Sequence, residues 1–418
     1  MPKLAIKGGK PVRTKEWPAW PMYDQAEIEE VMEVIKSRCW CALPYIFAKH
    51  GRNFDEDSKV RELEKAFAEY HGVRHAIAVN GGSAALLTSY AAAGVSSGDE
   101  VIMPPATFIS TATAALRLNA IPIFVGIEEE YLNIDPDKIE PAITDRTKAI
   151  VPVYWGGYPC DMDRIMEIAE KHDLMVIADA AHAHATEWRG KKIGSVAHLS
   201  AFSFQQDKNM TCGDGGIIVT NDDELAAKCR QLGQTDGRGP GGFAEMGWNF
   251  RLNEFSGAIM LAQLARLDAL VDTREANVAY LSKRFDQIGG IRFPKRDERM
   301  TRLSHLYPKV KYDSEAFDGV SAETLTEALR AEGIPVGAVT HPRALYQHPL
   351  FAEKRFDPGI LKLYGKELDY TKFHCPVCEG YGGKWIQFDE RVLLGNQEDM
   401  EDFARAVEKI KDNLEELK

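Results

Sequence analysis

The sequence predicts an α/β fold: a large domain built on a mostly parallel mixed sheet flanked by helices, then a smaller α+β domain at the C-terminal end. Two observations lead there. Short apolar runs alternate with segments of helical spacing from residue 76 to residue 178. The chain is also 418 residues long, more than one hydrophobic core normally organises.

Residues 1–22, rich in Pro and Trp, read as an extended arm. Asp24–Lys36 has helical spacing, with Ile28, Val31, Met32 and Ile35 on one face. Residues 38–57 look irregular, and Ser58–Tyr70 returns to a helical pattern. Ala76–Val79 is the first predicted strand, and Gly81-Gly-Ser-Ala-Ala-Leu86 then turns into a helix reaching about Ala93. Strands are expected at Glu100–Met103, Ile121–Val125, Ala149–Val153 and Leu174–Ala178, with helices at Thr111–Leu118, Pro136–Ala142 and Met162–His172. A strand at Ile217–Thr220 and a helix at Asp222–Leu232 follow. A glycine-rich loop over 233–247 then leads into a long helix over Asn253–Phe285. The division expected is an N-terminal arm and helix (1–54), a large domain (55–270), and a linker helix with the small domain (271–418).

Hydrophobic residues make up 44% of the chain and charged residues 27%, the balance of a soluble globular protein. The formal net charge of −12 argues against a nucleic-acid or anionic-membrane surface. The absence of a long apolar run predicts no membrane span, and the N-terminus lacks the apolar core of a signal peptide. Seven scattered cysteines, an odd count, read as reduced thiols of a cytoplasmic protein. Cys39, Cys41, Cys375 and Cys378 would together offer four thiolates to zinc. The single residue between the first pair departs from zinc-ribbon spacing, so core or loop cysteines and no metal are expected.

One lysine stands apart. Lys208 follows a strand-like stretch, Ser200-Ala-Phe-Ser203, and precedes a glycine-rich turn that opens the next strand. It lies among Gly, Ser and Gln, not on the charged helix face where a solvated lysine normally sits. Asp179 closes an apolar strand and begins Asp-Ala-Ala-His182. A lysine able to form a Schiff base and a carboxylate able to hold a pyridine nitrogen are what pyridoxal 5′-phosphate (PLP) chemistry needs. The plain alternative for Asp179 is capping a strand end. Gly81-Gly82-Ser83-Ala84 offers backbone N–H groups to a phosphate at a helix start, although an ordinary serine-capped turn fits the same residues. Phe108, after a strand, suits either stacking on a ring or filling the core. Ser203 and Gln205 share one side of an extended segment, so both would face a ligand. His182 suits packing against a cofactor or fixing Asp179, without a catalytic role.

Together these motifs resemble the PLP-dependent aminotransferases that act on keto-sugars and keto-cyclitols, within the aspartate-aminotransferase-like fold (PLP fold type I). The likeness spans nearly the whole chain. It runs from Gly8-Gly-Lys-Pro-Val-Arg13 and Trp17-Pro-Ala-Trp-Pro21 through Gly98-Asp-Glu-Val-Ile102, Asp179-Ala-Ala-His182 and Ser203-Phe-Gln205 to Gly213-Asp-Gly-Gly216 and Trp248-Asn-Phe-Arg-Leu-Asn253. The resemblance implies that Lys208 carries the cofactor and shuttles protons, and that Asp179 pairs with the pyridine nitrogen. Gly82, Ser83, Ala84, Ser203 and Gln205 would surround the phosphate and ring, and Phe108 would stack on the ring. Asn249 would reach the phosphate of the other subunit's cofactor, since the family shares active sites across a homodimer. Arg251 is the candidate for the donor carboxylate. The implied enzyme is a transaminase that takes an amino group from glutamine or glutamate and gives it to a keto-cyclitol of the inosose type or a keto-sugar. That is the chemistry of amino-sugar, aminocyclitol and antibiotic biosynthesis. The alternative is a PLP-dependent sugar dehydratase or lyase of the same fold. Relatives that dehydrate replace the lysine with histidine, and this chain keeps Lys208. Asn80-Gly-Gly-Ser83 departs from the commoner Ser-Gly-Thr phosphate turn, and Asp207 is unusual beside the lysine.

Overall fold

A computed structural model describes residues 2–234, 246–337 and 343–417. Most of the glycine-rich loop expected at 233–247 lies outside the described residues. The central sheet has seven strands: β1 (His75–Val79), β2 (Glu100–Met103), β3 (Ile121–Phe124), β4 (Thr147–Ile150), β5 (Met175–Asp179), β6 (Leu199–Ser203) and β7 (Gly216–Thr220). Their spatial order is β1-β7-β6-β5-β4-β2-β3. Every neighbouring pair from β6 to β3 is parallel, while β7 runs antiparallel to both β1 and β6. The result is the mostly parallel mixed sheet that the sequence predicts. Every residue of β2, β6 and β7 is buried, as a sheet covered on both faces requires.

Helices close both faces. α1 (Gln25–Ser37), α2 (Lys59–His71), α3 (Gly82–Ala92), α4 (Ser110–Arg117), α5 (Met162–His172) and α6 (Asp223–Gly233) are followed by α7 (Glu254–Ile288), which is 35 residues long. Their starts are legible in side-chain caps. Ser58 accepts from the Arg61 N–H, Asp161 from Arg164, Asp222 from Glu224 and Leu225, and Asn253 from Ser256. α2 buries Val60, Leu63 and Phe67. α7 leads from the central layer into a second core. There an antiparallel four-stranded sheet (Ile291–Arg292, Lys309–Tyr312, Trp385–Phe388, Val336–Gly337) packs with the helices Ala322–Ala331 and Gln397–Lys411.

Several expectations shift. The strand expected at 149–153 ends at Ile150, and Val153 keeps only a single bridge to Asp179. The helix expected at 136–142 is two 3-10 turns, Pro136–Lys138 and Glu140–Ala142, each with proline in its first turn. Residues 38–57 are not wholly irregular. They contain the helices Pro44–Lys49 and Phe54–Asp57, the first opened by Pro44 and the second capped by Asn53.

The apolar face of α1 points outward. Ile28, Met32 and Ile35 are 48%, 42% and 43% exposed, while Glu27 and Val34 are buried. Glu27 docks the helix on α7 by accepting from Gln263 Nε2 at 2.6 Å and pairing with Arg266 at 2.8 Å. All seven cysteines are free thiols. Among the described residues, no three metal-ligating side chains cluster, and no helix is long and apolar enough to cross a membrane.

Candidate active site

The C-terminal ends of β5 and β6 lie side by side, the position where open α/β sheets bind ligands. β5 ends in Asp179, and β6 ends in Ser203 and runs into the loop that carries Lys208. β7 is antiparallel, so its first residue, Gly216, lies at the same edge opposite Val79. From Val79 the chain turns through Gly81 into α3. Two glycines let these segments meet. A Cβ at Gly216 would fall 2.6 Å from the Gly81 carbonyl carbon, and one at Gly82 would fall 2.7 Å from Ser203 Cβ. Larger residues would force the turn off the strand ends.

A cavity of about 490 Å³ opens between these segments. Lys208 and Asp179 both line it, together with Gly82, Ser83, Ser203, Gln205, Phe108 and His182. Asp179 is buried, and its Oδ2 accepts from Thr111 Oγ1 at 2.8 Å while its Oδ1 accepts from the Ala181 N–H at 3.2 Å. Burial raises its pKa, opposed by those two hydrogen bonds and by the charge of Lys208. Lys208 is half-buried, and burial draws the pKa of its amine down to about 8. Asp179, Asp207 and Glu390 pull the other way.

At the opposite end lies the start of α3. Gly81 precedes it in extended conformation and no side chain among the described residues caps it, so the first-turn amides and the positive end of the helix are left unspent at the cavity that Gly82 and Ser83 line. Ser83 Oγ sits 2.5 Å from Ser110 Oγ. His182 accepts from the Gly156 N–H through Nδ1 at 3.3 Å and packs against Trp155. Phe108 stands at the rim, 54% exposed.

Three proposed site residues lie outside this cavity. Ala84 is buried in α3 and faces a neighbouring cavity. Asn249 is exposed, bridged to Gln234. Arg251 bridges Val79 and lines a separate cavity with Arg52, Arg61 and Arg230. Sequence reasoning missed Thr111 and Tyr307, which the fold brings to Asp179 and Lys208. Thr111 sits one helical turn beyond Phe108, but nothing in that spacing points at Asp179. Tyr307 comes from a distant segment with no motif of its own.

An uncapped helix start, a lysine amine of lowered pKa and a buried carboxylate thus occupy one cavity. The amides fit a phosphate, the amine an aldehyde and the carboxylate a protonated ring nitrogen, the three parts of PLP. The sequence model of the DegT/DnrJ/EryC1/StrS aminotransferase family matches residues 47–362. The chain is 34% identical to an L-glutamine:2-deoxy-scyllo-inosose aminotransferase of Streptoalloteichus tenebrarius, over 97% of each chain. It is 33% identical to the protein of that name from Streptomyces fradiae, again over 97% of each. Among solved structures, 3-amino-5-hydroxybenzoic acid synthase superposes with a TM-score of 0.80 at 31% identity, covering 95% of this chain and 99% of that one. DesI, solved in the presence of its TDP-sugar product, superposes with a TM-score of 0.80 at 26% identity, covering 99% and 97%.

Proposed function

The chain belongs to the DegT/DnrJ/EryC1/StrS aminotransferase family and is a PLP-dependent transaminase, and from that premise we propose that it moves an amino group from glutamine or glutamate to a keto-cyclitol of the inosose type or a keto-sugar. The observation that carries this is the shared cavity of Lys208 and Asp179 beside the uncapped start of α3. The names of the full-length relatives favour glutamine and an inosose over the other choices.

When bound, PLP supplies an electron-accepting ring that makes the Cα hydrogen of an attached amino acid acidic. The residues do the rest. The first-turn amides of α3, that of Ala84 among them, would hold the phosphate end together with Gly82, Ser83, Ser203 and Gln205. Asp179 would keep a proton on the ring nitrogen. Phe108 and His182, which line the same cavity, would flank the ring. Lys208 would move the proton between the donor Cα and the cofactor carbon C4′. A lysine pKa near 8 suits that task close to neutral pH.

A homodimer is part of the reading. The outward apolar strip of α1, with Tyr23 and Trp40 also exposed, is the kind of surface a second copy covers. Asn249 and Arg251, which lie outside their own Lys208 cavity, would then serve the partner's cavity, Arg251 taking the donor carboxylate. We place the domain boundaries at 54/55 and 270/271 and the protein in the cytoplasm.

The test is direct. Purified protein given glutamine and no acceptor should convert its bound cofactor to the amine form, and an inosose should reverse the change. Lys208→Ala should lose both the visible cofactor band and turnover. Wild-type turnover in that variant would overturn the reading, and a cofactor unchanged by glutamine or glutamate would favour a dehydratase or lyase.

A further inference from the structure

Tyr307 lines the Lys208 cavity from a distant part of the chain. Its ring centroid lies 5.3 Å from Lys208 Nζ, within the range at which an aromatic face attracts an ammonium. It meets the His182 ring edge-on, at 5.1 Å and 84°. The backbone that presents it is strained. His305 and Tyr307 both adopt left-handed φ, 49° and 47°, a region that non-glycine residues seldom occupy.

Several bonds hold the segment there. The Ser304 N–H bonds Thr186 Oγ1 at 3.1 Å, and His305 Nε2 lies 2.9 Å from Glu275 Oε1. Asn209 Nδ2 donates to the Ser304 carbonyl at 2.9 Å, and Arg274 Nη1 donates to Asn209 Oδ1. Asn209 directly follows Lys208, so the lysine's loop and the tyrosine's segment are tied together. Strain kept in place by independent bonds beside a reactive group is a mark of function.

We propose that the face of Tyr307 is where the Lys208 ammonium rests whenever the amine is not joined to the cofactor, which makes Tyr307 a positioning residue for the proton shuttle. The inference rests on the role of Lys208 given above. The charged groups facing Lys208 are Asp179 on β5, Asp207 in its own loop and Glu390 beyond the strand Trp385–Phe388. Buried His184 also feels its charge. Burial keeps the Tyr307 phenol protonated, so the ring face and not a phenolate meets the ammonium. A π face attracts the ammonium without a full negative charge that would hold the proton against transfer.

The apoprotein tests this, with the Lys208 amine read directly. The pH dependence of its carbamylation by cyanate, located by peptide mapping, gives its pKa. Tyr307→Phe keeps the ring and should match wild type. Tyr307→Leu and Tyr307→Met remove it and should lower that pKa by about half a unit to one and a half units. They should also move the pH profile of the glutamine half-reaction in the same direction. Two ring-free variants guard against one failing to fold. A wild-type lysine pKa in either folded ring-free variant overturns the proposal, and so does a Tyr307→Phe shift as large as that of Tyr307→Leu, which would assign the effect to the hydroxyl. Either failure leaves Lys208 as the shuttle, because that assignment stands or falls with Lys208→Ala.

Discussion

Thr111 Oγ1 donates a 2.8 Å hydrogen bond to Asp179 Oδ2, joining the first turn of α4 to the last residue of β5. The bond favours the ionised carboxylate, which burial alone disfavours. Thr111→Val keeps the shape and removes the donor, and it also strips Thr107 Oγ1 of its 2.8 Å partner. A hydrogen bond to a charged group is worth about 1.5–3 kcal/mol. The glutamine half-reaction, followed by stopped-flow absorbance of the cofactor, should therefore slow by roughly ten- to a hundredfold. Thr111→Ser should stay close to wild type.

Gly216→Ala places a methyl group against the Gly81 carbonyl. Both partners are main chain, so neither yields by turning a side chain. The turn entering α3 should move, at a cost of about 1–3 kcal/mol, and the phosphate end should loosen. Cofactor retention through gel filtration should drop, while circular dichroism stays that of a folded protein.

His71 and His184 set an acid limit on stability. Both are buried beside Phe202, and among the described residues neither nitrogen of His71 has a hydrogen-bond partner. Burial lowers the His71 pKa well below 6.5 and the His184 pKa to about 3. The unfolded chain binds protons at these sites below about pH 6.5, and the folded chain does not. Stability is therefore fully present above pH 6.5 and falls as pH drops toward 3, by up to about 1.4 kcal/mol per pH unit for each histidine. His71→Leu should flatten the fall in thermal midpoint between pH 6.5 and pH 5. A slope unchanged from wild type would show that His71 takes up its proton while folded.

Ile28→Glu combined with Met32→Glu places two charges on the exposed face of α1. If α1 forms the face of the proposed dimer, sedimentation should show its loss, and turnover should fall with it, because in that reading Asn249 and Arg251 would no longer reach a partner's cavity. An unchanged dimer would move the interface to another face.

Much of the site is readable along the chain because its signals are local. Asp179 ends an apolar run, Lys208 lies between a strand and a glycine turn, and Gly81-Gly82-Ser83 sits where a strand becomes a helix. Each depends on neighbours within a few residues. The shifts in the fold have local causes too, such as Pro44 opening a helix in a stretch without apolar periodicity.

Spacing established which residues of α1 share a face, since helical geometry is set within a few turns. It could not say whether Ile28, Met32 and Ile35 look inward, because that depends on where Gln263 and Arg266 offer Glu27 its partners. The aim of Thr111 at Asp179, the strained placing of Tyr307 over Lys208, and the separation of Arg251 from its own lysine are of the same kind. Each joins segments far apart in the chain, and such contacts exist only once the β5 and β6 ends, α4 and the 304–307 segment are packed together. Periodicity and turn chemistry record how one element is built, and they carry no address for the element it will meet.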